Sequence, residues 1–390
     1  FFDQFHELMM AVPKMCLNQW QCENSDYTCY ADFAKNCYMI FGASNCEDCM
    51  YSNLISSSKN CMDTTGCQEC ELAYDCVDCI GCYSVVSCIK CENSHDLVFC
   101  FDLKNCEDCI GCYNLNRKKY CIFNKQLTKE EYEKEKEKIN LDKARFLDFV
   151  RHKAIHRPTK IVNCENSTGD NLLNSKNAKN CFESHDMEDC KFVNFSMNTK
   201  DSMDMMGSSN KGVELCYESL GVEGSKMAFG YYLAGHSDIY YCECVFACQD
   251  VFGCIGTKHK KYCILNKQYT KEEYEELLPR VIEHMKKDPA TAGQASEWGE
   301  FFPIKYSTYC YNETMANEQY PMTKEQVLAK GWAWKEEEKE VKKADEKYLI
   351  CKTCGKNFKI IPEEKKFYAK MNLQEPENCH NCRYAERMKM

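Results

Sequence analysis

Residues 105–121 read NCEDCIGCYNLNRKKYC, with Cys106, Cys109 and Cys112 spaced three apart and Cys121 following. On its own, Cys-x2-Cys-x2-Cys has the local spacing of iron–sulfur ligands. The chain, however, carries 33 cysteines in 390 residues, and the wider pattern decides what they are for. A step of 15 from Cys46 meets Cys61, Cys76, Cys91, Cys106 and Cys121. A parallel column runs Cys37, Ser52, Cys67, Cys82, Leu97, Cys112, and another Cys49, Thr64, Cys79, Ser94, Cys109. Between them lie Asp48, Asp63, Asp78, Asn93 and Asp108.

A short fixed period of this kind signals a stacked repeat. It is too short for a helix pair and suits one coil of a β-solenoid, with Asp, Asn and Gly at the corners. A coil of about 15 residues is therefore expected, with each column forming a ladder of like side chains. Cysteine is small, apolar and often buried, so it fills a narrow interior. A ligand position would not alternate with leucine, so packing is the first reading of the ladders. The alternative is multi-metal binding (Fe–S, Cu or Zn) or electron transfer through Cys76, Cys79 and Cys82 and through Cys106, Cys109 and Cys112. The acidic column admits a further reading, an enzyme cleft or a calcium site, but turn-capping Asp is the commoner use of such a row.

The pattern is duplicated. KKYCIFNKQLTKEEYE at 118–133 returns as KKYCILNKQYTKEEYE at 260–275, and CENS at 22–25 returns at 164–167. Cys109 maps onto Val251, which again favours packing. Thr128 with Glu131 and Thr270 with Glu273 form capping boxes, predicting helices over 129–152 and 271–287 that close the solenoids against edge pairing. Thr323 with Gln326 predicts a third, short helix ended by Gly331. The expected organisation is mainly β: a Cys-rich solenoid over 1–125, a capping helix over 126–155, a second solenoid over 156–267 and its capping helix over 268–290. An irregular arm follows over 291–347 and a zinc-binding module over 348–390.

That last module rests on CKTC at 351–354 and CHNC at 379–382. Two Cys-x2-Cys hooks supply four thiolates for one structural Zn2+ ion, with Cys351, Cys354, Cys379 and Cys382 as ligands in a zinc ribbon or treble clef. Four protein ligands leave no open position for catalysis. Lys352, Lys356, Arg383 and Arg387 make a local basic patch, a candidate contact for nucleic acid or another partner. The net charge of −10 argues against a chain-wide nucleic-acid surface. There is no apolar run long enough for a membrane span. The start, FFDQFHELMM, lacks the layout of a signal peptide, and a fragment or processed product is expected. Secreted disulfide scaffolds are short, so in a chain this long reduced thiols in the cytoplasm are the preferred reading.

KNCEDC, GEFFPIKYSTYCYNE, YPMTKEQVLAKGWAW and CGKNFKIIPEEKKFYAKMNL resemble a family of uncharacterised cysteine-rich proteins associated with candidate-phyla bacteria. The resemblance implies a β-solenoid core with zinc modules and no particular reaction. No phosphate loop, HExxH or serine triad cue is present in the sequence, and the SHD tripeptides at 94–96 and 184–186 are read as solenoid corners. The expectation is a non-enzymatic scaffold that binds a protein partner or itself.

Overall fold

A computed structural model describes residues 1–13, 18–64, 66, 91–139, 143–287, 296–336, 348–371 and 373–387. The chain divides into two compact units, one of Phe1–Lys14 with Arg157–Glu337 and one of Met15–His156 with Glu338–Met390. Both are mainly β, and each is built on a stack of solenoid coils.

The coil is made of triplets. From Gln21 through Asn24, Tyr27, Tyr30, Phe33 and Asn36, and again from Asn93 through Asp96, Phe99, Asp102 and Asn105, every third residue has positive φ. Each such left-handed residue turns the chain through a corner. Four corners close the coil, because Gln19 pairs with Ala31 and Ala31 with Ala43, while Glu23 bridges Lys35 and Lys35 bridges Glu47. The repeat is therefore 12 residues, not the expected 15. Both numbers are multiples of three, so a step of 15 lands on the same kind of position but one corner away. Asp48 and Asp63 consequently do not stack as a carboxylate ladder. Asp48 instead accepts from Asn36, which accepts from Asn24, each 12 residues apart.

Within a triplet the three backbone N–H groups have different fates. The middle residue donates to the coil above (Glu23 N to Ala34 O, 2.8 Å; Lys35 N to Cys46 O, 2.8 Å). The corner residue donates to the coil below (Asn36 N to Glu23 O, 3.0 Å). The third N–H, on the inward residue, finds an acceptor in the inward side chain one coil below: Cys37 N to Ser25 Oγ, Cys106 N to Ser94 Oγ, Cys254 N to Cys242 Sγ. That side chain in turn donates to a carbonyl two residues back, as Cys37 does to Lys35 O and Ser94 to Glu92 O. Where a side straightens into a strand, the inward N–H joins the ladder instead (Ala31 N to Asn18 O, 3.1 Å), and Ala, Leu or Val serves as well as Cys. A small interior lined by unpaired N–H groups thus selects Cys, Ser and Thr at its corners, since a buried polar group without a partner is costly.

Each stack ends alike. Lys119–Ile122 turns back onto Lys125–Gln126, and Lys261–Ile264 onto Lys267–Gln268, as antiparallel pairs. At the turn, the Asn124 amide binds both N and O of Tyr113 (2.8 and 2.9 Å), and Asn266 does the same to Ile255. The side-chain amide stands in for the peptide of a coil that is not there. Both expected capping boxes form. The helix expected over 129–152 is two segments, Lys129–Lys136 and Lys143–Lys153, the first ending where the apolar spacing gives way to the Lys138–Ile139 turn. The Lys271–Lys287 helix runs as expected. Thr323 caps Lys324–Ala329, and Gly331, at φ +72°, donates back to Leu328 O.

Phe1–Ala11 was expected with the first solenoid. Instead Phe2, Phe5 and Met9 of the Phe2–Ala11 helix are buried with Tyr241, Phe252 and Met285 of the same compact unit, the one built on the second stack. Phe5 stacks on Phe302 (4.5 Å) and the Phe2 N–H donates to the buried Glu297 (3.0 Å). An apolar run at helical spacing needs only an apolar face to cover, and here that face is an aromatic corner ladder, Phe229 stacked on Tyr241 at 4.6 Å.

In the second stack the three-residue rhythm slips at Gly169, which is followed by Asn171 and makes that coil 11 residues long, and twice more within the continuously bridged Met203–Tyr240 segment. Positive φ runs Asp204, Gly207, then Gly212, Leu215, Glu218, Gly221 and Gly224, then Lys226 and Phe229. Ser202 there meets Cys216 across 14 residues instead of 12.

Candidate metal centre

In the C-terminal module, Leu349–Ile350 and Asn357–Phe358 form a short antiparallel pair with Leu349 opposite Phe358. The Cys351 N–H donates to Lys356 O and the Gly355 N–H to Cys351 O, each at 2.9 Å. Gly355 sits at φ +69°, so the first knuckle needs a residue that adopts that conformation without strain. The Pro362–Lys370 helix follows, its proline in the first turn. The second knuckle is the start of the His380–Arg387 helix, with Cys379 just ahead of it and Cys382 in its first turn.

The four sulfurs lie within 4.8 Å of one another, and Cys354 and Cys379 approach to 3.8 Å. The structure thus gathers the four residues singled out by spacing. Asn378 ties the knuckles together, its Oδ1 accepting from the Thr353 N–H and hydroxyl. Burial opposes ionisation of Cys351, but the N–H groups of Cys354, Cys379 and Thr353 outweigh it and bring the thiol down to about 6. Burial and the neighbouring sulfurs push Cys382 well above the usual thiol range. Cys351 ionises readily, whereas Cys379 and Cys382 ionise against burial and need a cation beside them, as a soft divalent ion would provide.

The module is held on the first solenoid stack by a buried polar network. Arg383 Nε meets Asp63 Oδ2 at 2.7 Å, Arg387 Nη1 meets Asp63 Oδ1 at 3.1 Å, and Arg383 Nη2 meets Glu364 Oε1 at 3.2 Å. Tyr51 and Tyr368 donate to Glu364 (3.0 and 2.9 Å), and His380 stacks on Tyr51. Met50, Met62, Phe358, Ile360 and Phe367 pack around it. This corrects the basic-patch expectation. Arg383 and Arg387 are buried against carboxylates, so neither is presented to nucleic acid. Of the expected patch, Lys352 and Lys356 remain exposed, with Lys352 paired to Glu377. Nothing local in the sequence marked Glu364, Tyr51 or Tyr368, and Asp63 stood out only as a member of the acidic column, because its partner Arg383 is 320 residues away.

Cys106, Cys109 and Cys112 occupy three successive inward positions, all buried. Each donates to a carbonyl two residues back, of Lys104, Glu107 and Ile110, at 3.3–3.4 Å. Among the described residues, Cys351, Cys354, Cys379 and Cys382 are the set whose ligand atoms gather around one point. The described solenoid cysteines form no disulfide. Burial raises Cys190, Cys216 and Cys263 to about 11. Cys76, Cys79 and Cys82 lie outside the described residues. No helix among the described residues is long and apolar enough to cross a membrane.

Residues 345–390 match a family model described as a probable treble clef domain, the zinc fold whose two knuckles the geometry above displays. No curated protein matches the chain. Among solved structures, the crystal structure of a putative acetyltransferase from Desulfovibrio desulfuricans G20 aligns over 62% of this chain and 63% of that one, at 10% identity and a TM-score of 0.14. That likeness is too slight to carry an argument.

Proposed function

We propose that the chain is a non-enzymatic scaffold: stacked coils that present long outer faces to a protein partner or to a second copy, with one structural Zn2+ held by Cys351, Cys354, Cys379 and Cys382. The observation that carries the reading is the contrast between two kinds of cysteine. The solenoid thiols are spent on backbone carbonyls and N–H groups inside the coil, while four C-terminal sulfurs face one another with no backbone role that needs them together. Closed four-thiolate sites are structural rather than catalytic. Interior thiols not joined in disulfides suit a reducing compartment, and the cytoplasm is the proposed one.

The test is metal content by native mass spectrometry with a visible spectrum, on protein purified without oxygen. One zinc per chain and no colour is the expected result. Several irons with brown absorbance would replace the scaffold by a redox protein.

A further inference from the structure

The metal ligands and the residues that fasten the module to the solenoid share one short helix. Cys379 and Cys382 flank its start, while Arg383 and Arg387, one turn apart, reach Asp63 on the solenoid corner. Arg383 also donates to Asn378 O (3.0 Å), and Asn378 is the residue that clasps the Cys351–Cys354 knuckle. We propose that metal occupancy of the four-cysteine set works as a latch, deciding whether the solenoid corner at Met50–Asp63 is covered by the C-terminal module or exposed. The inference rests on the reading of those cysteines as a metal site.

The physical case has three parts. First, a helix this short is marginal without tertiary support, and small metal-bound modules draw their folding free energy from the ion. Removing the ion therefore removes the scaffold that positions both arginines. Second, Asp63 is 1% exposed. Its two guanidinium partners come from the module, so the covered state is stable only while both arrive in place. Third, what the module leaves behind is not a neutral solvent face. Met50, Tyr51 and Met62 are buried under it, so release would present an apolar and aromatic surface around one carboxylate. Partial release is disfavoured, because leaving either arginine or either carboxylate buried alone costs more than moving the helix as a unit.

The experiment uses the full chain. Hydrogen exchange is followed by mass spectrometry over peptides covering 49–64 and, as control, 100–112, in zinc-loaded protein, after chelation under reducing conditions, and after back-titration with zinc chloride. The latch predicts that chelation speeds exchange over 49–64 by at least about tenfold, leaves 100–112 unchanged, and is reversed by zinc. D63N and R383Q are read in parallel. Each is expected to keep the four thiols protected from alkylation by zinc while 49–64 exchanges as in stripped protein. If zinc protects the thiols but 49–64 exchanges at one rate with and without it, the latch is refuted. If zinc chloride leaves the four thiols open to alkylation, the metal reading falls and the latch falls with it.

Discussion

Replacing Ser94 tests the account of why the coil interior is lined with thiols and hydroxyls. Ser94 is fully buried; its Oγ donates to Glu92 O at 2.9 Å and accepts the Cys106 N–H at 3.0 Å. Ser94→Ala removes the acceptor and leaves the Cys106 N–H facing an apolar interior. An unpaired buried donor costs about 1–3 kcal/mol, which amounts to roughly a 5- to 150-fold rise in the opening equilibrium there. Ser94→Cys puts a sulfur where Cys242 and Cys164 already accept the equivalent N–H groups at 3.3 Å, and should stay within about 1 kcal/mol of the parent, as do volume-tolerant core swaps. The assay is amide exchange at Cys106 in the full chain, read by NMR or by mass spectrometry of peptide 100–112. Equal exchange in the parent and Ser94→Ala, or equal acceleration in Ser94→Ala and Ser94→Cys, would refute the reasoning.

Three further outcomes are expected. Cys351→Ser should abolish binding of one metal ion per chain and make 348–387 sensitive to limited proteolysis, while the coils around Cys100–Cys112 keep their circular dichroism. Asn266→Ala should free both backbone groups of Ile255 and cost about 1–3 kcal/mol locally, with Asn266→Asp, which keeps the acceptor, losing about half as much by exchange at Ile255. Burial holds Cys190, Cys216 and Cys263 at about 11 against an ordinary 9.0. The folded state therefore keeps protons that the unfolded chain gives up, and stability falls as pH rises from about 9 through 11; a melting temperature that is flat or rising over that window would contradict it.

The parts of the fold that depend on neighbours in sequence were legible. Thr128 with Glu131, Thr323 with Gln326 and Gly331 at the helix end act through groups within a few residues, and the structure shows each in its expected role. The four zinc-type ligands were legible for the same reason, since each hook is local and only their meeting is not. The coil length was not, because inward residues at every third position recur under a step of 12 or of 15, and only the stacking of real coils separates them. The corners were legible where Asn, Asp or Gly occupies them. They were hidden at Tyr30, Phe33, Phe99 and Phe195, which also take positive φ, because the hydrogen-bonded stack overrides what those residues prefer alone. The burial of Arg383 and Arg387 could not be read at all, since Asp63, which both reach, stands 320 residues before Arg383.

The triplet also gives this chain something like a reading frame. Adding or removing three residues moves an inward side chain to the next corner and keeps it inside. Adding one residue would turn every later thiol toward solvent and every later corner residue into the core, much as a single-base insertion scrambles every codon after it. The second stack shows the price of a shift and the means of absorbing it: the frame changes at Gly169, beside Gly207 and Gly212 and again at Gly224, all at positive φ, and Cys242, Cys248, Cys254 and Cys263 beyond them are buried as before. Length variation in a molecule of this kind should therefore come in threes, or else sit next to glycine.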